Sequence, residues 1–164
     1  MNNLLILGAG QFGMMVRELA EDMCCFDLID FLDDNSEIAV GKISDYLIFK
    51  EKYNSAVVAI GNPVVRERLV SMLEDAGYLI ADIISTDAYV SASAVLGKGV
   101  IIEPMAVLQK GAHVGKASII SSGAVLRHDS YVGSFCHCDC GSVIMSNSTV
   151  PDGTKVECLS VFKN

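Results

Sequence analysis

Ala106-Val107-Leu108-Gln109-Lys110-Gly111, Ala112-His113-Val114-Gly115-Lys116-Ala117 and Ser118-Ile119-Ile120-Ser121-Ser122-Gly123 are three consecutive hexads built to one plan. The first residue is small, the third is large and apolar, and the end is rich in polar residues and glycine. The count runs from Ala88 to Phe162 without a slip. From Val90 to Phe162 the third residue is large and apolar at every register except Cys138. A period of six matches neither a helix nor an alternating strand. It fits a solenoid in which three short flat faces make one coil of eighteen residues. The third residue then points into a narrow triangular core. The fourth to sixth residues, such as Gly97-Lys98-Gly99 or the Asp152-Gly153 pair, turn the corner. A β-sandwich would have to reproduce the same register by accident along this whole stretch.

Before about Ile84 the pattern changes. Asn3–Leu7 is a short apolar run that ends in Gly8-Ala9-Gly10-Gln11-Phe12-Gly13, and a helical pattern follows through Met14, Val16, Leu19 and Ala20. A second run over 26–32 ends at Asp33-Asp34. A third over 56–60 ends at Gly61-Asn62, where Pro63 opens a helix that reaches Gly77. A fourth run, 78–84, leads into the hexads. Strands alternating with helices imply a parallel sheet. The chain therefore divides into an α/β, Rossmann-like domain over 1–84 and an all-β solenoid over 85–164.

A strand, a GxGxxG turn and a helix, with Asp33 twenty residues after Gly13, form a nucleotide-binding pattern. Glycines let backbone N–H groups and a helix N-terminus approach a phosphate. The acid can take a ribose hydroxyl. Nucleotide or nucleotide-sugar binding, a dinucleotide, and a purely structural glycine turn all remain open on this pattern alone. With so few residues before the solenoid, only about half of a full dinucleotide fold is available, and no hydride-transfer site is evident.

Bulk properties narrow the classes. The net charge of −8 argues against nucleic acid and anionic membrane as partners. The apolar run at the N-terminus stops at Gly8, too short for a signal peptide or a span. The six cysteines then read as free thiols in a reducing cytoplasm. The run Cys136-His137-Cys138-Asp139-Cys140 has the composition of a metal site. Alternate residues of one strand cannot converge on one ion, however, and no second knuckle is present, so no metal is expected.

All three histidines lie in the hexads. His128 is a fifth-position, corner residue followed by Asp129, while His113 and His137 are second-position residues. An imidazole beside a carboxylate is the usual general base for an amine or hydroxyl. A solvated corner histidine is the plain alternative.

The glycine turn, Phe31-Leu32-Asp33-Asp34-Asn35, Ala59-Ile60-Gly61-Asn62 and Leu126-Arg127-His128-Asp129-Ser130-Tyr131-Val132-Gly133 with His137 occur together. In combination they resemble the bacterial sugar O-/N-acyltransferases of the sialic acid O-acetyltransferase family, which includes UDP-4-amino-sugar N-acetyltransferases. The resemblance spans nearly the whole chain. It implies that the solenoid is a left-handed parallel β-helix, that the protein is a homotrimer, and that acetyl-CoA is the acyl donor. It implies a nucleotide-sugar held by Gly8, Gly10, Gly13, Asp33, Asp34 and Asn62. His128 is the implied base, oriented by Asp129, and His137 and Ser146 are the implied contacts of the acetyl-CoA. The implied activity is acetyl transfer to a nucleotide-activated amino-sugar or sugar in surface-glycan biosynthesis, in the cytoplasm. Two departures stand out. Members usually carry further coils beyond the point where this chain reads Val161-Phe162-Lys163-Asn164, which implies a reduced CoA groove. Where many members read His-Pro, this chain has Ser85-Thr86. A relative that binds nucleotide-sugar but has lost catalysis is the alternative reading.

Overall fold

The computed structural model describes residues 1–164. The chain divides into two compact units, Met1–Ile83 and Ile84–Asn164.

The first unit contains β1 (Asn3–Leu7), α1 (Gln11–Asp22), β2 (Leu28–Leu32), the short α2 (Tyr46–Phe49), β3 (Ser55–Val58), α3 (Pro63–Asp75) and β4 (Leu79–Ile80). The strands form one parallel sheet in the order β2-β1-β3-β4. Every residue of β1 is buried, which explains the apolar run Leu4–Leu7 that follows Asn3. Helix α1 buries Gly13, Val16, Leu19 and Ala20, one stripe at helical spacing. Helix α3 starts where the sequence provides both start signals: Asn62 caps it by accepting from the Val65 N–H at 3.1 Å, and Pro63 follows. The chain leaves β1 toward β2 on one side and reaches β3 on the other. The ends of β1 and β3 therefore form the switch point where α/β sheets hold ligands.

The apolar run 78–84 is not one strand. Leu79–Ile80 joins the first sheet, whereas Ile83–Ile84 opens a face of the solenoid. Both halves are apolar because each belongs to a sheet, so periodicity alone cannot show the break.

The second unit is a three-faced parallel β-helix of two-residue strands. The Val125 face stacks Tyr89–Val90, Val107–Leu108, Val125–Leu126, Val143–Ile144 and Val161–Phe162. The His113 face stacks Val95–Leu96, His113–Val114, Tyr131–Val132 and Thr149–Val150. The Ile119 face stacks Ile83–Ile84, Ile101–Ile102, Ile119–Ile120, His137–Cys138 and Lys155–Val156. Partners across a face lie eighteen residues apart, as in Val107↔Val125↔Val143.

Third-position residues such as Leu108, Leu126 and Ile144 are fully buried. Each such side chain contributes about 1.5–3 kcal/mol. First-position residues face inward too: Ala106, Ala112, Ser118, Ala124 and Cys136 are fully buried. Their small size lets them sit beside the third-position residue of the preceding hexad. Ser118 satisfies its hydroxyl between coils, donating to the Gly133 carbonyl at 2.7 Å and accepting from the Cys136 N–H at 2.9 Å. Corners close by a backbone bond from the first residue of one hexad to the fourth of the last, as in Ala112 N–H to the Gln109 carbonyl at 3.0 Å. From Gly99 to Leu159 every sixth-position residue takes a positive φ. At Met105, Ala117, Asp129, Phe135, Asn147 and Leu159 that residue is not glycine. Each such residue carries a backbone cost of about 1 kcal/mol, and the parallel ladder on either side holds it in place.

Candidate active site

The sequence candidates fall into three separate groups. The first is the corner between the Val125 and His113 faces. His128 and Asp129 are both exposed there, and His128 Nδ1 lies 3.3 Å from Asp129 Oδ2. Asp129 Oδ1 lies 3.1 Å from Lys110 Nζ, one coil below. The lysine first, and the imidazole second, hold the Asp129 carboxyl below its ordinary value. A carboxylate next to Nδ1 favours the tautomer with its proton there and leaves Nε2 with the lone pair a base needs. The backbone of the corner is tied down by His128 N–H donating to Gln109 Oε1 at 3.1 Å. Asp129 can lie against the lower coil because residue 111 is glycine: a Cβ there would collide with Asp129 Oδ1. Ser146, one coil above His128, has a buried hydroxyl without a partner in the chain. That orphaned group suits a corner that receives a polar ligand.

The second group is on the Ile119 face, at its corner with the Val125 face. His137 Nε2 lies 3.0 Å from Ser121 Oγ, and Ser121 Oγ donates to Glu103 Oε1 at 3.0 Å. Glu103 is buried, and its Oε2 accepts from both Ser122 N–H and Ser122 Oγ at 2.9 Å. His137 is therefore at the opposite end of the Val125 face from His128. His137 and Ser146, grouped by resemblance as acetyl-CoA contacts, occupy different corners of the same chain, because the hexad that separates them turns the backbone onto the next face. Lys110, Gln109, Gly111, Ser121 and Glu103 escaped the reading of the sequence. The signal that finds Lys110, Gly111 and Glu103 is a step of eighteen back from His128, Asp129 and Ser121.

The third group is the switch point of the first unit. Gly8 has φ +106, and a Cβ there would lie 2.8 Å from the Ala59 carbonyl oxygen. A Cβ on Gly13 would collide with the Gly8 carbonyl, so Gly13 lets α1 pack onto the turn. Gly10 differs from both: it meets nothing within 4 Å and has an ordinary φ of −75°. It precedes a helix with no side-chain cap and no acid in its first turn. No contact in the chain requires glycine there, which leaves room for a ligand to approach the helix N-terminus. Asp33 is occupied with the turn: Oδ2 accepts from Ala9 N–H and Oδ1 from Asn35 N–H, both at 2.8 Å. Those backbone bonds, Ala9 first, lower its carboxyl from the ordinary value. Asp34 is exposed and accepts from Ile43 N–H at 3.1 Å. Asn62 is the α3 cap already described. Arg66, at helical spacing with the buried Leu69, Val70 and Leu73, is itself buried and donates through Nη1 to the Ile60 and Gly61 carbonyls at 2.8 and 2.9 Å.

Among the six cysteines none forms a disulfide, and no group of three or more histidine, cysteine or acidic side chains could hold a metal ion. No helix is long and apolar enough to cross a membrane.

Residues 3–73 match the PglD N-terminal domain. No curated protein matches the chain. Among solved structures, the chain resembles a histidine-to-asparagine variant of perosamine N-acetyltransferase from Caulobacter crescentus in complex with CoA and GDP-perosamine. The TM-score is 0.74 and the identity 21%, over 98% of this chain and 91% of the other. It also resembles the acetyltransferase domain of PglB from Neisseria gonorrhoeae in complex with acetyl coenzyme A, with a TM-score of 0.63 and 26% identity over 94% and 96%. WeeI from Acinetobacter baumannii matches with a TM-score of 0.63 and 20% identity over 94% and 96%. These spans take in 91–96% of each relative. Residues 3–73 thus match the PglD N-terminal domain, and the chain as a whole shares its fold with the solved perosamine N-acetyltransferase and PglB acetyltransferase-domain structures.

Proposed function

We propose that the protein transfers the acetyl group of acetyl-CoA to the amino group of a nucleotide-linked amino-sugar. The observation that carries this reading is the His128–Asp129–Lys110 corner, a base with its orienting carboxylate on a solenoid whose solved likenesses include complexes with CoA, acetyl-CoA and a GDP-amino-sugar. His128 Nε2 takes the proton of the attacking amine, a nitrogen–carbon bond forms, and the carbon–sulfur bond breaks. The leaving CoA thiolate takes up a proton. The first unit, Met1–Ile83, holds the nucleotide-sugar, with its phosphates at Gly10 and the start of α1. The coils of the second unit, Ile84–Asn164, hold the acetyl-CoA. Asp33 acts there chiefly by bracing the glycine turn, and Asp34 remains exposed for the sugar nucleotide.

His128 and His137 sit at different corners, so a substrate touched by both needs one of them from a neighbouring copy. A homotrimer supplies that arrangement, and light scattering should give three times the 17.5 kDa chain mass. Six free thiols and the two substrates both suit the cytoplasm.

The deciding experiment incubates the protein with acetyl-CoA and a panel of GDP- and UDP-linked amino-sugars and reads acetylated product by mass spectrometry. Product is expected, and His128→Ala should lower turnover by about 10²–10⁴-fold with nucleotide-sugar binding unchanged. Full turnover in that variant removes the base assignment. Binding of nucleotide-sugar without acetyl-CoA binding or product overturns the enzyme reading in favour of a non-catalytic relative.

A further inference from the structure

The corner between the Ile119 and Val125 faces carries a ladder of fifth-position residues, Pro104, Ser122, Cys140 and Cys158, each eighteen residues from the next. Backbone bonds run up it: Gly141 N–H donates to the Ser122 carbonyl at 3.0 Å, and Leu159 N–H donates to the Cys140 carbonyl at 2.9 Å. Cys140 and Cys158 therefore stand one above the other on neighbouring rungs, just past the paired strands His137–Cys138 and Lys155–Val156. Hydrogen-bonded rungs lie about 4.7–4.9 Å apart, inside the range of about 4.4–6.8 Å that disulfide Cα atoms occupy. Residues at the same place in the repeat direct their Cα–Cβ bonds the same way, so a bridge calls for side-chain rotation rather than a new backbone path. Both thiols are exposed. The other cysteines are placed differently. Cys136 and Cys138 are buried, and Cys24 and Cys25 are adjacent in sequence, too close along the chain for an unstrained bridge.

We propose that Cys140 and Cys158 form a reversible oxidation site, closing to a disulfide between two rungs when the protein meets a peroxide. One thiolate attacks a peroxide oxygen, the oxygen–oxygen bond breaks, and a sulfenic acid forms while the leaving hydroxide takes up a proton as water. The second thiol attacks that sulfur, the sulfur–sulfur bond forms, and a second water leaves. Two thiols lose two electrons, and one peroxide is reduced to two waters. In a reducing compartment such a bridge is transient, because dithiol reductants reopen it by exchange. It ties the Lys155–Val156 rung to the His137–Cys138 rung below. Cys140 stands above Ser122, which donates twice to Glu103, so the bridge forms on the corner that carries Glu103, Ser121 and His137. Nothing in this oxidation depends on acetyl transfer.

The test treats the full chain with hydrogen peroxide at mildly alkaline pH, because the Cys140 thiol is raised above its ordinary value, first by burial and then by Glu103, Asp139 and Cys158. Catalase then removes the peroxide, and free thiols are counted in denaturant. The count should fall from six to four and recover with dithiothreitol. Peptide mapping should find Cys140 joined to Cys158 within one chain. Cys158→Ser, a change at an exposed position, should form no bridge within the chain. Cys24→Ser combined with Cys25→Ser should form it as the parent does. Six thiols still present after treatment, a bridge confined to Cys24 and Cys25, or separate chains crosslinked through Cys140 or Cys158 would each overturn the proposal. Over-oxidised Cys140 or Cys158 with no bridge would do the same. No substrate enters this measurement, so its failure is separate from failure of the acetyl-transfer assay.

Discussion

The two units of this chain place their functional residues by different means. In the β-helix a side chain's surroundings follow from arithmetic: its neighbours are eighteen residues before and after it, and its direction is set by its place in the hexad. In the sheet unit the glycine turn is shaped by contacts far away in sequence, from the Ala59 carbonyl, the Leu32 carbonyl and the Asp33 carboxylate. The first kind of site can be counted from the sequence. The second has to be seen folded.

The largest expected effect breaks the repeat where its core is driest. Leu126→Asp places an unpaired carboxylate among fully buried side chains, at a cost of more than about 4 kcal/mol. Circular dichroism should show the β-helix signal lost at temperatures where the native chain is folded. A native-like melt would mean that the third-position residues do not share one dry core.

In the sheet unit a pair of glycines sharpens the contrast. Gly13→Ala drives a methyl into the Gly8 carbonyl and should lower stability by about 2–3 kcal/mol. Gly10→Ala meets open space and should stay within about 0.5 kcal/mol of the parent in denaturant titration. Calorimetry with a GDP- or UDP-linked amino-sugar should nevertheless show weakened binding for Gly10→Ala. Equal stability losses for the two would mean that the turn is read wrongly.

A third effect follows from burial in the coils. The Cys138 thiol is pushed up to about 12, first by burial and then by the neighbouring Cys136. The buried neutral thiol stabilises the fold fully below the ordinary thiol value of 9.0, and that contribution is lost as pH rises from there toward about 12. The β-helix should lose about 1 kcal/mol for each pH unit above 9, and Cys138→Ala should lessen the slope. At neutral pH a thiol reagent should label the exposed Cys24, Cys25, Cys140 and Cys158 in the native protein, and Cys136 and Cys138 only after unfolding.

The smallest effect is a gain. Ala117 holds φ +50 at a corner, so Ala117→Gly should raise stability by about 0.5–1 kcal/mol, the relief at the corner outweighing the entropy glycine adds to the unfolded chain. A rise of a few degrees in Tm is the expected reading, and a fall would mean that the buried methyl contributes more than the strain costs.

Much of the β-helix was legible in advance. The register of six, the inward third residue and the corner position of His128 all follow from the spacing of side chains. That the first residue also faces inward was not legible, because alanine and serine are as common on surfaces as in tight cores. Asp129 was visible as a neighbour in sequence, whereas Lys110 and Gly111 act across coils. In the sheet unit, β1, α1 and α3 were readable from apolar runs, a helical stripe and the Asn62-Pro63 start. The break at Ala81-Asp82 was not, since both sides of it are apolar. Nor was the burial of Arg66, whose partners are the backbone carbonyls of the loop just before it.

The stacking of partners eighteen residues apart makes each hexad an address as well as a building block. Every hexad moves the backbone a third of the way around the prism, and every third one advances it by a single rung. Duplicating residues 106–123 would lengthen the β-helix by one rung and leave every corner facing as it did. Inserting a single hexad after Gly123 would carry His128 and Asp129 around to the following edge with their local sequence intact. Insertions and deletions in this half of the chain therefore act like teeth on a ratchet: those in steps of eighteen preserve the heading of the histidines, and all others redirect them.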